Sequence, residues 1–208
     1  MNEQTLWFAA RASGMVSLLL LTATILLGIL GPLRVGTTKW PRFALAGLHR
    51  NISLLTLTLL LVHVVSISVD SYVPIRLIDA VVPFGSAYQP LWLGLGAMAF
   101  DVILALIITS LLRQRIHLGL WRAIHWLSYT CWPLALVHGL GVGTDASSGF
   151  PLIFGIACAA AVVAAVIWRI AARKRSRVNP VPVQRTRPVE PLGEPAEPRR
   201  MQAAGRSR

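Results

Sequence analysis

Four histidines lie within strongly hydrophobic stretches of the sequence, where an imidazole is unusual. His49 and His63 are 14 positions apart, and His125 and His138 are 13 positions apart. On α-helices these spacings correspond to about 21 Å and about 20 Å along the axis. A histidine inside a membrane span costs free energy unless a partner satisfies it. Two imidazoles at each of two depths match the axial ligation of two iron porphyrins, so the pattern predicts two b-type hemes.

An alternative is that these histidines form ordinary hydrogen bonds between membrane helices. A single histidine of this kind is more often structural than a ligand, but two pairs at matching depths favour heme. His117 has no counterpart at its own depth and is interpreted as a solvated loop residue.

The elements that must position the histidines are membrane-spanning helices. Of the 208 residues, 55% are hydrophobic and only 13% are charged, which is too apolar for an ordinary soluble domain. A helix needs about 20 apolar residues to cross a bilayer. Five runs meet that length, at residues 8–31, 46–68, 91–112, 121–141 and 150–171. The first run lacks a cleavage site, and more positive charge follows it than precedes it, so we interpret it as a helix and not a signal peptide. The prediction is an all-α bundle of five transmembrane helices within residues 1–172.

Positive charge between the runs predicts which helix ends face the cytoplasm. Basic residues concentrate in the first and third linkers and after the fifth run, and such clusters mark the cytoplasmic side. They include Arg34, Lys39, Arg42, Arg113, Arg115, Arg122, Arg173 and Lys174. The second and fourth linkers, which contain Asp70 and Asp145, then face outward. The prediction is a multi-pass plasma-membrane protein with its N-terminus outside and its C-terminus inside.

This topology also predicts how the histidines pair. The second and fourth helices cross in the same direction, so His49 and His125 lie near the cytoplasmic boundary, and His63 and His138 lie near the outer one. A spacing of 13 on an ideal helix turns His138 about 140° away from His125. We therefore expect Pro133, which removes a backbone donor, to kink or repack the fourth helix.

Three charged residues near the histidines have two interpretations each. Arg50 and Arg122 are candidate partners for heme propionates at the cytoplasmic side, or anchors at helix ends. Asp101 lies near the middle of the third helix, where an ionised carboxylate is costly. It is a candidate hydrogen-bond partner of a ligating histidine, or a protonated group that bonds another helix.

The outer acidic residues are Asp70, Asp79 and Asp145. They could attract a cationic acceptor, although three scattered carboxylates are more often solvated loop residues. The acceptor therefore stays unidentified.

The sequence disfavours several other classes of protein and of binding site. The net charge is +12, but most of the basic residues lie in the linkers and in the C-terminal segment, so the charge does not indicate a nucleic-acid surface. Cys131 and Cys158 fall inside apolar runs and predict neither a disulfide framework nor an iron–sulfur cluster. No glycine-rich turn predicts an FAD or NAD(P) site. Residues 173–208 contain six prolines and many arginines, and predict a disordered cytoplasmic tail that contacts anionic lipid or docks a soluble partner.

With these residues in view, the chain resembles the ferric reductase-like transmembrane domain of ferric reductases and NADPH oxidases, especially the short membrane-only form of actinobacteria. The paired histidines, with spacings of 14 and 13, are the specific part of the resemblance. Supporting stretches are LHRNISLLTLTLLLVHVV (48–65), VPFGSAYQPLWLGLGAMAFD (82–101), TSLLRQRI (109–116) and WRAIHWLSYTCWPLALVHGLGVGTD (121–145).

The resemblance implies a di-heme cytochrome that moves electrons from the cytoplasmic face to an outer acceptor. It makes His49 and His125 the inner-heme ligands, and His63 and His138 the outer-heme ligands. Because the family's flavin and nicotinamide domain is missing, it implies a separate donor, either a cytoplasmic flavoprotein or a membrane quinol. The chain would then be an oxidoreductase component that is incomplete without that partner.

Other functions stay open beside this one. Within redox chemistry, the chain could be the heme subunit of a periplasmic methionine sulfoxide reductase, or a quinol-coupled cytochrome b. From a different class, it could be a transporter or assembly protein with structural histidines.

Overall fold

The computed structural model describes residues 3–31, 42–70, 73–142 and 149–178, and these form an all-helical bundle without strands. The α-helices are α1 (Glu3–Leu30), α2 (Arg42–Val69), α3 (Pro90–Leu111), α4 (Leu118–Trp126), α5 (Ser128–Val142) and α6 (Gly149–Val178). A short 3₁₀ helix, Leu77–Ala80, lies between α2 and α3. The predicted all-α fold is confirmed.

Four of the helices are long and apolar enough to cross a membrane on their own. These stretches are Thr5–Leu30, Phe43–Val69, Pro90–Leu111 and Gly149–Ala172. The remaining predicted span, the fourth at residues 121–141, is divided between α4 and α5, which are 9 and 15 residues long and meet at Leu127. Neither is long enough alone, but together they exceed the roughly 20 residues that a bilayer requires. The chain is a multi-pass membrane protein, as predicted.

The two helices that bear histidines are supported by other helices and not by each other. Helix α2 packs chiefly on α1, and α5 packs chiefly on α3, whereas α2 makes little direct contact with α4 or α5. The core lies between α1, α3, α5 and α6, and consists of Leu21, Ile25, Ile29, Ile103, Cys131, Trp132, Cys158 and Ala165. This arrangement leaves the histidine faces of α2 and of α4 and α5 opposite each other across a gap.

One hydrogen bond joins α5 to α1, and another joins α6 to α1. The indole Nε1 of Trp132 donates to Thr22 Oγ1 at 2.9 Å. Arg169 donates to the carbonyl of Ile29 at 3.2 Å, near the end of α1. A helix end has carbonyls without intrahelical partners, so Arg169 satisfies one of them while linking α6 to α1.

The fourth span deviates from a straight helix six residues before Pro133. At Leu127 the backbone N–H bonds the Ile124 carbonyl at 2.9 Å, and the N–H of Thr130 bonds the Leu127 carbonyl at 2.9 Å. These i to i−3 bonds belong to a tighter helix of about 120° per residue, against about 100° in an α-helix. Each residue wound in this way turns the following chain about 20° further, in the direction that brings His138 toward the face of His125.

Pro133 itself lies inside α5, so the expected disruption is displaced toward the N-terminus. A proline ring crowds the carbonyl four residues before it, here that of Tyr129. Leu127 lies within the turn that precedes this carbonyl. The break at Leu127 thus refines the expectation for Pro133.

Helix α6 extends past the hydrophobic run to Val178, six residues into the predicted tail. Alanine, arginine and lysine favour helix, so the helix continues beyond the apolar stretch. Residues 179–208 lie outside the described residues, as do Arg34, Lys39 and Asp145.

The loop after α2 is held by an ion pair between Arg76 and Asp79. The backbone N–H and the guanidinium of Arg76 each donate to the Asp79 carboxylate at 3.0 Å. The side chain of Arg76 is 72% exposed, and that of Asp79 is 2% exposed. Asp79 therefore has its charge balanced locally and does not offer a free negative charge to an acceptor.

We expect this loop to loosen in acid. The hydrogen bond from Arg76 lowers the pKa of Asp79 below its ordinary value of 3.8. Since the pKa is lower in the folded state, the contact stabilises the loop above pH 3.8 and is lost as the pH falls through the lowered value. The protection of residues 73–89 against hydrogen exchange, measured relative to the intrinsic exchange rate at each pH, should therefore decrease in acid. In Asp79→Asn the exchange should be faster at neutral pH and should lose this acid step; an unchanged acid step would assign it to another group.

Candidate metal centre

The structure brings the four histidines together as two pairs. The ring centroids of His49 and His125 are 6.5 Å apart with an interplanar angle of 60°. Those of His63 and His138 are 6.4 Å apart with an angle of 88°. This is the pairing that the topology predicted. That the rings bind iron stays a prediction.

Both separations suit one metal ion between two imidazoles. A metal–imidazole bond is about 2 Å long, and the ring centre lies roughly 1 Å behind the nitrogen, so two axial imidazoles place their centres roughly 6 Å apart. A direct hydrogen bond between the rings would bring their nitrogens within about 3 Å and the centres closer than observed. Among the described residues no group of three or more His, Cys, Asp or Glu side chains forms a site for a bare ion. A metal ion held by only two imidazoles would need further ligands from a non-protein group, such as a macrocycle.

In the pair His63–His138, hydrogen bonds determine which nitrogen is free to bind a metal. Nδ1 of His63 lies 2.7 Å from the carbonyl of Ala10, and Nδ1 of His138 lies 2.8 Å from the carbonyl of Trp92. A carbonyl only accepts, so each Nδ1 carries the proton and donates. Each neutral ring then keeps its lone pair on Nε2, which is the usual state of a metal-ligating histidine.

The pair His49–His125 is anchored differently. His49 approaches the backbone of Thr24, but neither its Nδ1 nor that of His125 makes a hydrogen bond of normal geometry within the described structure. Instead Trp121 stacks on His125, with centroids 4.8 Å apart and an interplanar angle of 19°. The guanidinium of Arg113 lies 4.6 Å from the Trp121 ring centre, within the range of a cation–π contact.

Among the described residues, no hydrogen bond joins the predicted supporting side chains to the histidines. Arg50 and Arg122 are exposed, and Asp101 is half-buried on α3. The Nδ1 partners of His63 and His138 are carbonyls and not Asp101. His117 is exposed, and its Nδ1 accepts from the backbone N–H of Gly119 at 3.2 Å, which makes it the N-cap of α4.

Sequence reasoning missed the glycines against which the histidine rings pack. A Cβ on Gly14 would lie 2.8 Å from Cε1 of His63, and one on Gly96 would lie 2.6 Å from Cε1 of His138. One signal was available, since Gly14 and Gly28 have the same 14-residue spacing on α1 as His49 and His63 on α2. Trp132, which lies between His125 and His138 on the chain and is buried, was also missed.

A cavity of about 500 Å³ opens at the end of the bundle nearer His63. Its lining includes Ser68 and Asp70, which follow His63 on the chain, together with the Arg76–Asp79 pair. The cavity is largely open to the surface at that end of the bundle.

A comparison with protein families matches residues 13–136, more than half of the chain, to the model described as "Ferric reductase like transmembrane component". The match confirms the resemblance seen in the sequence. It includes His49, His63 and His125 and ends two residues before His138. No curated protein and no solved structure gives a significant match.

Proposed function

The chain belongs to the ferric reductase-like transmembrane family, and on that premise we propose that it is a di-heme b-type cytochrome that carries electrons across the membrane. The observation that supports this best is the pair of ring separations, 6.5 Å and 6.4 Å, each spanning a gap between helices that barely touch. Heme, when bound, supplies a one-electron redox centre. His49 and His125 would hold one, and His63 and His138 the other.

The protein's own contribution is to orient the ligands and to exclude water. If two histidines held each heme iron, no coordination site would stay open for a substrate, and this would suit electron transfer and not chemistry at the metal. His63 and His138 are held in one tautomer by carbonyls of α1 and α3. The flanking apolar helices supply the low-dielectric surroundings that tune the potential of such a centre.

We propose that electrons enter at the end of the bundle with His49 and leave at the end with His63. The basic residues Arg50, Arg113 and Arg122 lie on the chain near the first pair, and positive charge marks the cytoplasmic side. Arg50 and Arg122 are exposed and are candidates to hold heme propionates there. The donor would be a cytoplasmic flavoprotein or a membrane quinol, and an acceptor would approach the cavity near Asp70.

The test is the absorption spectrum of the full-length protein purified after heme-replete expression. We expect b-type bands in the reduced-minus-oxidised spectrum and two hemes per chain by pyridine hemochrome assay. One heme per chain would contradict the di-heme proposal. Absence of b-type bands would contradict the proposal altogether and favour a non-redox membrane protein.

The donor can be identified by the rate of heme reduction. Stopped-flow reduction by a flavin reductase with NADH should be compared with reduction by a short-chain quinol at the same driving force. The direction of electron transfer can be measured in liposomes that hold the protein with its His49 end facing out. Protease cleavage of the C-terminal segment assigns this orientation. Equal reduction from both faces would contradict the proposed sidedness.

A further inference from the structure

The helices that support His63 and His138 use the same local arrangement. On α1, the carbonyl of Ala10 accepts the His63 Nδ1 proton, and Gly14, four residues later, lies against the His63 ring. On α3, the carbonyl of Trp92 accepts from His138, and Gly96, again four residues later, lies against the His138 ring. We call this arrangement a glycine notch: an accepting carbonyl followed four residues later by glycine.

Helix geometry explains why the glycine is needed. The carbonyl of residue i already accepts the backbone N–H of residue i+4, but a carbonyl oxygen has a second lone pair. A side chain on residue i+4 stands beside that oxygen and obstructs a second donor. At Gly14 and Gly96 a Cβ would lie 2.8 Å and 2.6 Å from ring atoms of the histidine. Such contacts are too short to exist without displacing the ring, and the displaced Nδ1–H would lose its carbonyl.

The other two histidines show what happens when the notch is looser or missing. His49 approaches Thr24, and Gly28 stands four residues later, but a Cβ there would lie an ordinary 3.9 Å from the ring. On α3, thirteen residues beyond Trp92 and Gly96, the corresponding positions are Ala105 and Thr109.

The Thr109 hydroxyl donates to the Ala105 carbonyl at 2.6 Å, so the second lone pair of that carbonyl is already used within α3. His125, at the matching depth, has no hydrogen bond to its Nδ1 in the described structure. The four histidines thus differ in how firmly their Nδ1–H groups are held.

We propose that Gly14 and Gly96 are positioning residues for one heme, that of His63 and His138. The inference rests on the proposed function. Each notch holds one ring so that its Nδ1–H meets a carbonyl, and together they set the 88° angle between the two ring planes. A hydrogen bond from Nδ1 makes Nε2 more basic and favours the oxidised metal. The notches therefore set both the ligand-plane angle and the potential of this centre.

The test compares four glycine-to-alanine variants of the full-length holoprotein. Gly14→Ala and Gly96→Ala are expected to shift the low-spin EPR signal of one heme, which depends on the angle between the ligand planes, and to raise the midpoint potential of that heme. Gly28→Ala and Gly139→Ala are the controls. Gly139 follows His138 directly on α5, and a Cβ there would meet nothing within 4 Å. Both controls should match the wild type.

The outcomes separate this inference from the proposed function. Absence of heme in the wild type would overturn the proposed function. Two hemes in Gly14→Ala and Gly96→Ala, with wild-type EPR signals and potentials, would overturn the notch alone. So would an equal shift in Gly139→Ala.

If either notch variant fails to fold, the inference can be tested on the wild type by hyperfine spectroscopy after ¹⁵N labelling of histidine. We expect a protonated, hydrogen-bonded Nδ1 on both ligands of one heme. An Nδ1 without a hydrogen-bonded proton on either ligand would overturn the inference.

Discussion

Replacing His63 with alanine is expected to halve the heme content of the protein and to lower the rate of transmembrane electron transfer by at least about 100-fold. That factor is what loss of a supporting partner of a metal ligand can cost, and a lost ligand should cost no less. His63 is the proposed partner of His138, at a ring separation of 6.4 Å. Without it, the remaining imidazole would hold the heme from one side only.

The pairing itself can be tested with the same measurement. His63→Ala and His138→Ala should lose the same heme, identified by its midpoint potential and EPR signal, and His49→Ala and His125→Ala should lose the other. His117→Asn is the matched control, because His117 is exposed and its capping role on α4 is one that asparagine also performs. If all four alanine variants kept two hemes with unchanged spectra, the ligand assignment would be wrong.

Replacing Trp132 with alanine is expected to destabilise the bundle by about 3–5 kcal/mol, the usual cost of truncating a buried aromatic residue. Trp132 is 8% exposed, belongs to the core and donates a hydrogen bond to Thr22. The substitution would leave a cavity where α1, α3 and α5 meet. Since lipid is as apolar as the core, the cost comes from lost packing and the lost hydrogen bond.

Two further variants separate these contributions. Trp132→Phe keeps most of the volume but loses the hydrogen bond, for which we expect about 1 kcal/mol, together with a small part of the packing. Trp126→Ala is the control, because Trp126 is 66% exposed on α4. Unfolding by SDS in mixed micelles, followed by circular dichroism, gives the free energies. Equal stability of Trp132→Ala and Trp126→Ala would show that the core contact contributes little.

The sequence by itself was sufficient for the spans and for the distance along each helix between its two histidines. Both follow from local properties, namely the apolar length that a bilayer demands and the constant rise of a helix. Counting crossings then predicted that His49 faces His125 and that His63 faces His138, as the ring distances of 6.5 Å and 6.4 Å show.

The sequence could not show how the fourth span brings both of its histidines to one face. The 13-residue spacing revealed the conflict, and Pro133 was a reasonable cause to suspect. The position of the irregular turn depends on which backbone carbonyls find donors in the turns before the proline. The structure places this tightened turn at Leu127. The hydropathy of a sequence is the same whether a helix is wound tightly or normally, so it cannot predict this turn.

Tertiary structure alone decided what holds each ring. Spacing specifies depth and approximate direction on one helix, but the carbonyls of Ala10 and Trp92 belong to neighbouring helices. These carbonyls can accept a second hydrogen bond only because a glycine stands four residues later. A glycine has no side chain and so contributes nothing to the hydrophobic pattern of the sequence. The sequence therefore determined the fold and the ligand candidates. The packing of α1 and α3 determined the orientation of the histidine rings, because a hydrogen bond between two helices depends on the rotation of each helix and on the distance between them.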